Sequence, residues 1–180
     1  MVPTVPVPVG TGLWFAGGNA NVVRNNRFYD NWRRGAMLFQ VPDQFVCPPD
    51  SGDQVAGCDP TSTVPATSYR NRFFGNKMGV APNGSVQRNG VDFWWDQGGV
   101  SADPTLNTAN CWYDNTGSDG TPNSVTGTPS PTAPPPNNLP SDCNNSPSVG
   151  GPAQAAELLV CSTVPKGDPS CPWFTTPPKP

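Results

Sequence analysis

Three short apolar runs, each opened by a glycine, mark the first two thirds of the chain: Gly12 opens GLWFA, Gly35 opens GAMLFQV and Gly90 opens GVDFWWD. Each is followed, after a connector, by a box of Asn, any residue, two aromatics, Asp or Gly, and Asn. The copies are NRFYDN from Asn26, NRFFGN from Asn71 and NCWYDN from Asn110. The boxes are too short for helices and too aromatic for linkers, and the Gly-led runs are short and apolar, so together they predict short strands. From Gly12 to Gly35 is 23 residues and from Gly90 to Asn115 is 25, whereas Gly35 to Gly90 is 55. The long unit carries an insertion of about 42–66 and a smaller one around Lys77 to Arg88. A turn of roughly 20 to 30 residues built from short strands suits a solenoid, whose coils bury their inner faces on their neighbours.

Strand alternation divides the side chains into two sets. Phe28, Phe73 and Trp112 are expected to stack inside, with Arg27, Arg72 and Cys111 outside, and Asn26, Asn71 and Asn110 one above another at a turn. Stacked Asn side chains bond along a ladder, and Asn tolerates the left-handed backbone, so a structural role is preferred for them. On the Gly-led strands, Leu13, Phe15, Ala36, Leu38, Val91 and Phe93 fall inside. Trp14, Met37 and Asp92, then Ala16, Phe39 and Trp94, fall outside. An outer row so apolar marks either a surface covered by another segment or a ligand surface; cover by the chain's own tail is preferred.

The run VVRNNRFYDNWRRGAML, from Val22 to Leu38, resembles the repeat of the right-handed parallel β-helix proteins of the pectate-lyase-like superfamily. In that repeat apolar and Asn positions alternate before a Gly opens the next strand. The resemblance covers about residues 12 to 115. It implies an all-β right-handed parallel β-helix of about three coils over 1–115, with 116–180 as a Pro/Ser/Cys-rich, irregular C-terminal segment. It also implies a site on an outer sheet, where family members use clustered acidic residues, calcium, and Arg or Lys as base. The matching sheet offers Asp92, with Trp94 as a sugar platform, but Trp14 and Met37 stand at the positions equivalent to Asp92 and no acidic cluster repeats over the coils.

Composition agrees with a loop-rich β protein: 25 Pro, 19 Gly and 13% charged residues. The only stretch with a helical look, Ala153 to Cys161, reads as a short helix or a strand. After Asn115 the chain holds 15 of the 25 Pro and only six charged residues. TGTPSPTAPPPNNLPSDC, from Thr126 to Cys143, is expected to run extended along a surface, and Trp173 and Phe174 to dock on the apolar outer row. A net charge of −3 argues against nucleic acid as the main partner. All seven Arg nevertheless lie between Arg24 and Arg88, a basic stripe suited to an acidic polysaccharide or simply to a solvated face, which is preferred.

Six Cys without a single His, and without a CxxC pair, exclude zinc and point to disulfides and an oxidising compartment. Six allow 15 pairings, of which the most economical are Cys47 with Cys58, Cys111 with Cys143, and Cys161 with Cys171. MVPTVPVPVG has no features of a secretory leader, and a partial strand around Val5 to Val9 runs straight into Gly12. The expectation is therefore the C-terminal part of a longer, extracellular or cell-surface protein.

Without His, Ser and Cys triads lack a base, and the Gly pairs lack the flanks of a phosphate loop. Carboxylates remain: Asp92 and Asp96 share a strand face but are expected about 13 Å apart, beyond the spacing of a glycosidase pair. Asp50, Asp53 and Asp59 offer oxygens to a calcium ion, yet lack the EF-hand spacing, and a solvated disulfide loop is preferred. No cofactor is expected. The favoured function is an extracellular structural or surface-binding module that contacts polysaccharide, with Trp14, Phe39, Trp94, Arg33 and Arg34 as ligand-binding residues and no complete active site. The alternatives are the end of a polysaccharide lyase or hydrolase, and a capping or subunit-contact module that forms oligomers through the outer row.

Overall fold

The computed structural model describes residues 7–16, 18–39, 41–42, 65–66, 68–96, 109–126, 139–144 and 153–180. Within them the chain is dominated by short parallel strands. β1 (Thr11–Ala16), β2 (Val22–Arg24) and β3 (Arg27–Phe28) form a first round, and β4 (Arg34–Phe39) returns to pair with β1. After a short antiparallel pair of β5 (Val41–Pro42) with β6 (Pro65–Ala66), β7 (Arg72–Phe74) pairs with β2 and β8 (Lys77–Met78) with β3. β9 (Val91–Asp96) then pairs with β4. A third round brings β10 (Cys111–Tyr113) onto β7, Thr116 onto Lys77, and β11 (Ser124–Thr126) onto β9. Three stacked parallel sheets result: β1-β4-β9-β11, β2-β7-β10, and β3-β8. This order is compatible with a parallel β-helix.

Most of the corners share one device. Ala20, Asn25, Asp30, Arg70, Gly75, Ala109 and Asp114 all have left-handed backbone, and each directly precedes an Asn. For residues other than glycine that conformation costs roughly 1 kcal/mol or more, and the Asn that follows offsets it. The backbone N–H and Nδ2 of Asn21 donate to Asn71 Oδ1 at 3.0 and 2.9 Å. Asn71 repeats both bonds to Asn110 Oδ1 at 3.0 Å each. A second ladder runs from Asn26 through Asn76 to Asn115, and a third joins Asn31 to Asn89. Spare Nδ2 protons donate to backbone carbonyls, as from Asn71 to Gly18 and from Asn76 to Val23. Buried corner amides are thereby satisfied without water.

The ladders correct the expected register by five residues. Asn71 and Asn110 stand over Asn21, not Asn26, so the true counterpart of NRFFGN and NCWYDN is NVVRNN from Asn21. Val23, not Phe28, is in register with Phe73, whose other neighbour is Trp112, and Phe28 sits on Met78 in the third sheet. Likewise Asp92, not Gly90, occupies the position of Gly12 and Gly35. Glycine follows Thr11 in β1 and Arg34 in β4, where the third ladder passes close by. A Cβ on Gly12 would lie 2.6 Å from Asn31 Oδ1, and one on Gly35 would lie 3.0 Å from Asn89 Nδ2.

Inside, Leu13, Phe15, Ala36, Leu38 and Phe93 take the inner face of the first sheet as alternation requires, joined by Trp95. Phe73 is the centre of this core. It stacks on Trp112 at 5.2 Å with planes 6° apart and meets Phe15 and Phe93 edge-on.

Segment 153–180 contains the single helix among the described residues, α1 (Ala153–Thr163), and a 3₁₀ turn (Pro172–Phe174). The helical alternative for Ala153 to Cys161 is thus the one adopted.

Candidate functional site

The outer row of the first sheet is Trp14, Met37 and Trp94 in register. The tail covers it. Leu158 and Cys161 of α1, Cys171 and Trp173 pack on Met37 and Trp94, with Val164 and Phe174 at the margin. Met37 is 1% exposed and Trp94 8%, and Trp173 meets Trp14 edge-on at 5.9 Å. The disulfide Cys161–Cys171 closes the helix onto the 3₁₀ turn. Each fully buried apolar side chain here contributes roughly 1.5–3 kcal/mol.

The two arginines expected to meet ligand lie in this seam. Arg33 donates to the carbonyls of Val9, Pro172 and Thr175 at 2.9, 2.7 and 2.7 Å, tying the segment before β1 to the tail. Burial lowers its pKa, and the Glu157 charge opposes that shift; the guanidinium nevertheless stays charged at any physiological pH. Arg34 is 4% exposed, stacks over Trp94 with its guanidinium carbon 4.3 Å from the ring centre, and lies 3.9 Å from a Glu157 oxygen. The same oxygen accepts the indole N–H of Trp173. Glu157 was missed by the sequence reading, although it is the one acidic residue of the helix and could have been matched to the Arg-rich stretch.

Asp92 is buried at 6% exposure. It ends the third ladder: Oδ1 accepts from Asn89 Nδ2 at 2.8 Å and Oδ2 from the backbone N–H of Asn123 at 2.9 Å. Burial raises its pKa, against the opposing pull of those two hydrogen bonds and of Arg88. Its carboxylate does for the last coil what an Asn amide does for the others, so the position expected to face outward instead turns into the corner. The backbone of Asp96 is described as the end of β9, in register with Phe39 of β4. Asp50, Asp53 and Asp59, weighed above as calcium ligands against a solvated loop, and the pair Cys47 and Cys58, lie outside the described residues.

Away from this covered seam, the outer faces of the second and third sheets carry several exposed side chains. With Val23, Phe73 and Trp112 inward, alternation turns Val22 and Arg24, Arg72 and Phe74, and Cys111 and Tyr113 outward. Cys111 is bonded to Cys143 and fully buried; its staple lays residues 139–144 along the last coil, where Pro140 O accepts the N–H of Trp112 at 2.8 Å and Leu139 joins the core. Arg24 and Arg72 are exposed, and Phe74 and Tyr113 are half-exposed and stacked at 4.9 Å with planes 5° apart. On the third sheet Arg27 stands directly beside Lys77. This aromatic row was missed; its signal was the second aromatic of each box, which alternation assigns to the outside.

A cavity of about 160 Å³ opens at the end of the stack, floored by Phe93, Trp112 and Leu139 and rimmed by Asp114, Asn115 and Ser124. Among the described residues no three His, Cys, Asp or Glu side chains are grouped to hold a metal ion, and no helix is long and apolar enough to cross a membrane. The two disulfides are consistent with an extracellular protein. No protein-family model, no curated protein and no solved structure matches the chain.

Proposed function

We propose that the chain is a right-handed parallel β-helix of the pectate-lyase-like kind, working outside the cell or at its surface as a structural or surface-binding module that contacts polysaccharide without turning it over. The observation that carries this reading is the division of its two outer faces: one is sealed by the chain's own disulfide-closed tail, and the other presents exposed cations around an aromatic stack. Stacked coils with satisfied corners give such a face a stiff, repeating support.

The reading as the end of a lyase or hydrolase asks Asp92 to act on substrate, whereas its two oxygens accept bonds that close a corner. The subunit-contact reading asks for the apolar row that Trp173 and Leu158 occupy. The purified chain is tested on an array of neutral and acidic polysaccharides, with the retained glycans sized afterwards. Retention with unchanged glycan length is expected. Shortened glycans would transfer the chain to the enzyme reading, and no retention combined with sedimentation as a dimer or larger would transfer it to the subunit-contact reading.

A further inference from the structure

We infer that Asn83 is an acceptor for an N-linked glycan, delivered from a sugar activated as a lipid-linked glycosyl pyrophosphate. Such a modification is independent of what the outer faces bind. It requires passage through a compartment where glycans are transferred, with which the two disulfides are consistent.

Asn83, Gly84 and Ser85 give the Asn-x-Ser pattern that glycan transfer requires. So short a pattern recurs by chance, and its placement decides. The segment from Val80 to Val86 turns back on itself: these two residues form an antiparallel bridge, and the N–H groups of Ala81 and Gly84 donate to Ser85 O and Ala81 O, each at 2.9 Å. Pro82 stands second and Gly84, with φ at +86°, fourth in the tight turn that starts at Ala81, the positions these residue types favour. The base of the hairpin is seated on the body. Ala81 is 4% exposed, and Arg27 donates to the carbonyls of Val80 and Ala81. The tip stands clear: Asn83, Gly84 and Ser85 are exposed, and a Cβ on Gly84 would meet nothing within 4 Å. A bulky, solvated group has room there.

The amide nitrogen is the second observation. Every ladder Asn described above donates its Nδ2 to a partner. Asn83 is held through the other atom: its Oδ1 accepts the Ser85 N–H at 3.0 Å and the Ser85 hydroxyl at 2.8 Å. Its Nδ2 donates to nothing among the described residues, so exchanging one of its hydrogens for a sugar breaks no bond there. The two bonds to Oδ1 polarise the amide and make its N–H protons easier to lose. In the transfer, Nδ2 bonds to the anomeric carbon of the sugar while the bond from that carbon to the pyrophosphate oxygen breaks. The pyrophosphate leaves with the electron pair, and the amide proton passes to a base of the transferring enzyme. The rival reaction of an Asn-Gly pair is attack of the Gly84 nitrogen on the Asn83 side-chain carbonyl with loss of ammonia. It is disfavoured here because that N–H is engaged by Ala81 O. The same pattern at Asn144 follows Cys143 of the staple, and its Ser146 lies outside the described residues.

The full chain is sent through the secretory pathway of a host that transfers N-linked glycans and is purified with its disulfides intact. A glycan-releasing amidase then acts in heavy-oxygen water, leaving a labelled aspartate at each former glycan site, whereas earlier spontaneous deamidation leaves an unlabelled one. Peptide mass spectrometry is expected to find label at position 83, and the untreated chain to migrate more slowly on a denaturing gel. Asn83→Gln and Ser85→Ala should each lose that label, and Ser85→Thr should keep it. At an exposed tip all three should leave the circular dichroism spectrum unchanged. Label at position 144 alone would overturn the assignment, as would label at neither position while the host's own secreted proteins carry glycans. Unlabelled deamidated product at position 83 would overturn it in favour of attack by Gly84, and label that survives Ser85→Ala would show attachment indifferent to the pattern and overturn it as well. Retention on the polysaccharide array stands or falls separately from each of these results.

Discussion

Phe73 in the core of the stack and Trp173 on its outer face are both buried, large and aromatic, yet they reach that state by different means. Phe73 is placed by register. The strands on either side put Val23 and Trp112 beside it, and the ladders through Asn71 and Asn76 hold its strand at both ends. Trp173 is placed by contacts that occur once: a bond to Glu157, a ring contact with Trp14, a disulfide two residues earlier, and Arg33 bonded to the carbonyls on either side. Repeated local rules make the inside, and long-range single contacts make the cover. The two should therefore fail differently.

The largest expected effect sharpens that contrast. Phe73→Ala should cost about 3–5 kcal/mol, read by denaturant unfolding, with loss of the strand signal as one cooperative event. Trp173→Ala should instead leave the strand spectrum in place, raise binding of a hydrophobic dye, and expose segment 153–180 to protease first. Equal loss of strand signal in both variants would show that tail and stack are one cooperative unit and break the distinction.

Next comes the ladder itself. Asn71→Ala removes the acceptor for two donors of Asn21 and the donor to Gly18 O, all in or beside buried positions. Unsatisfied buried groups cost about 1–3 kcal/mol, so a loss of about 2–3 kcal/mol is expected. Asn26→Ala, at an exposed position of the second ladder, should lose less than half as much. Equal losses would mean that burial does not set the value of a rung.

These residues also mark how far the sequence could be read. Short parallel strands, inner Phe73 and Trp112, the apolar outer row and its cover by Trp173 all follow from alternation and from the length of the Pro-rich tail. The five-residue register error has a physical origin. Asn recurs at successive corners, at Asn21, Asn26 and Asn31, so matching boxes by their aromatics selects the neighbouring corner, and the left-handed residue before each of these three is common to them all. Asp92 was misplaced because alternation knows nothing of corners: a carboxylate that accepts two N–H groups does so by leaving the regular outer face. Arg33 reaches the carbonyl of Pro172, 139 positions away, and Glu157 lies beside Arg34 of a distant strand; no local pattern encodes such pairings.

The tail's own closure is expected to matter somewhat less than its aromatic anchor. Replacing Cys161 and Cys171 by Ser removes a cross-link spanning 10 residues, which by loop entropy contributes about 2–3 kcal/mol. That loss should fall on the tail. Hydrogen exchange of the Val9 amide, which donates to Trp173 O at 3.0 Å, should accelerate, while the amide of Cys111, held by Asn71 O, should keep its protection. Acceleration at both positions would contradict a tail that opens on its own.

The smallest effect belongs to Asp92 and is seen as a change with pH. Its two accepted hydrogen bonds make Asp92→Ala destabilising by about 1–3 kcal/mol, but burial raises its pKa above the ordinary carboxylate value. A carboxyl whose folded pKa is raised binds its proton more tightly in the folded state. Its favourable linkage is therefore complete below the unfolded pKa, about 3.9, and is lost as pH rises through the folded value. The stability difference between wild type and Asp92→Ala should accordingly be larger at acid pH than at neutral pH, a subtraction that cancels the titration of every other carboxylate. Asp119 provides the contrast: fully exposed and bonded to Arg88, its pKa is lowered, so the difference for Asp119→Ala should shrink as the pH falls. Parallel trends for the two variants would mean that the corner does not desolvate Asp92, and that its carboxylate is as open to water as the surface pair.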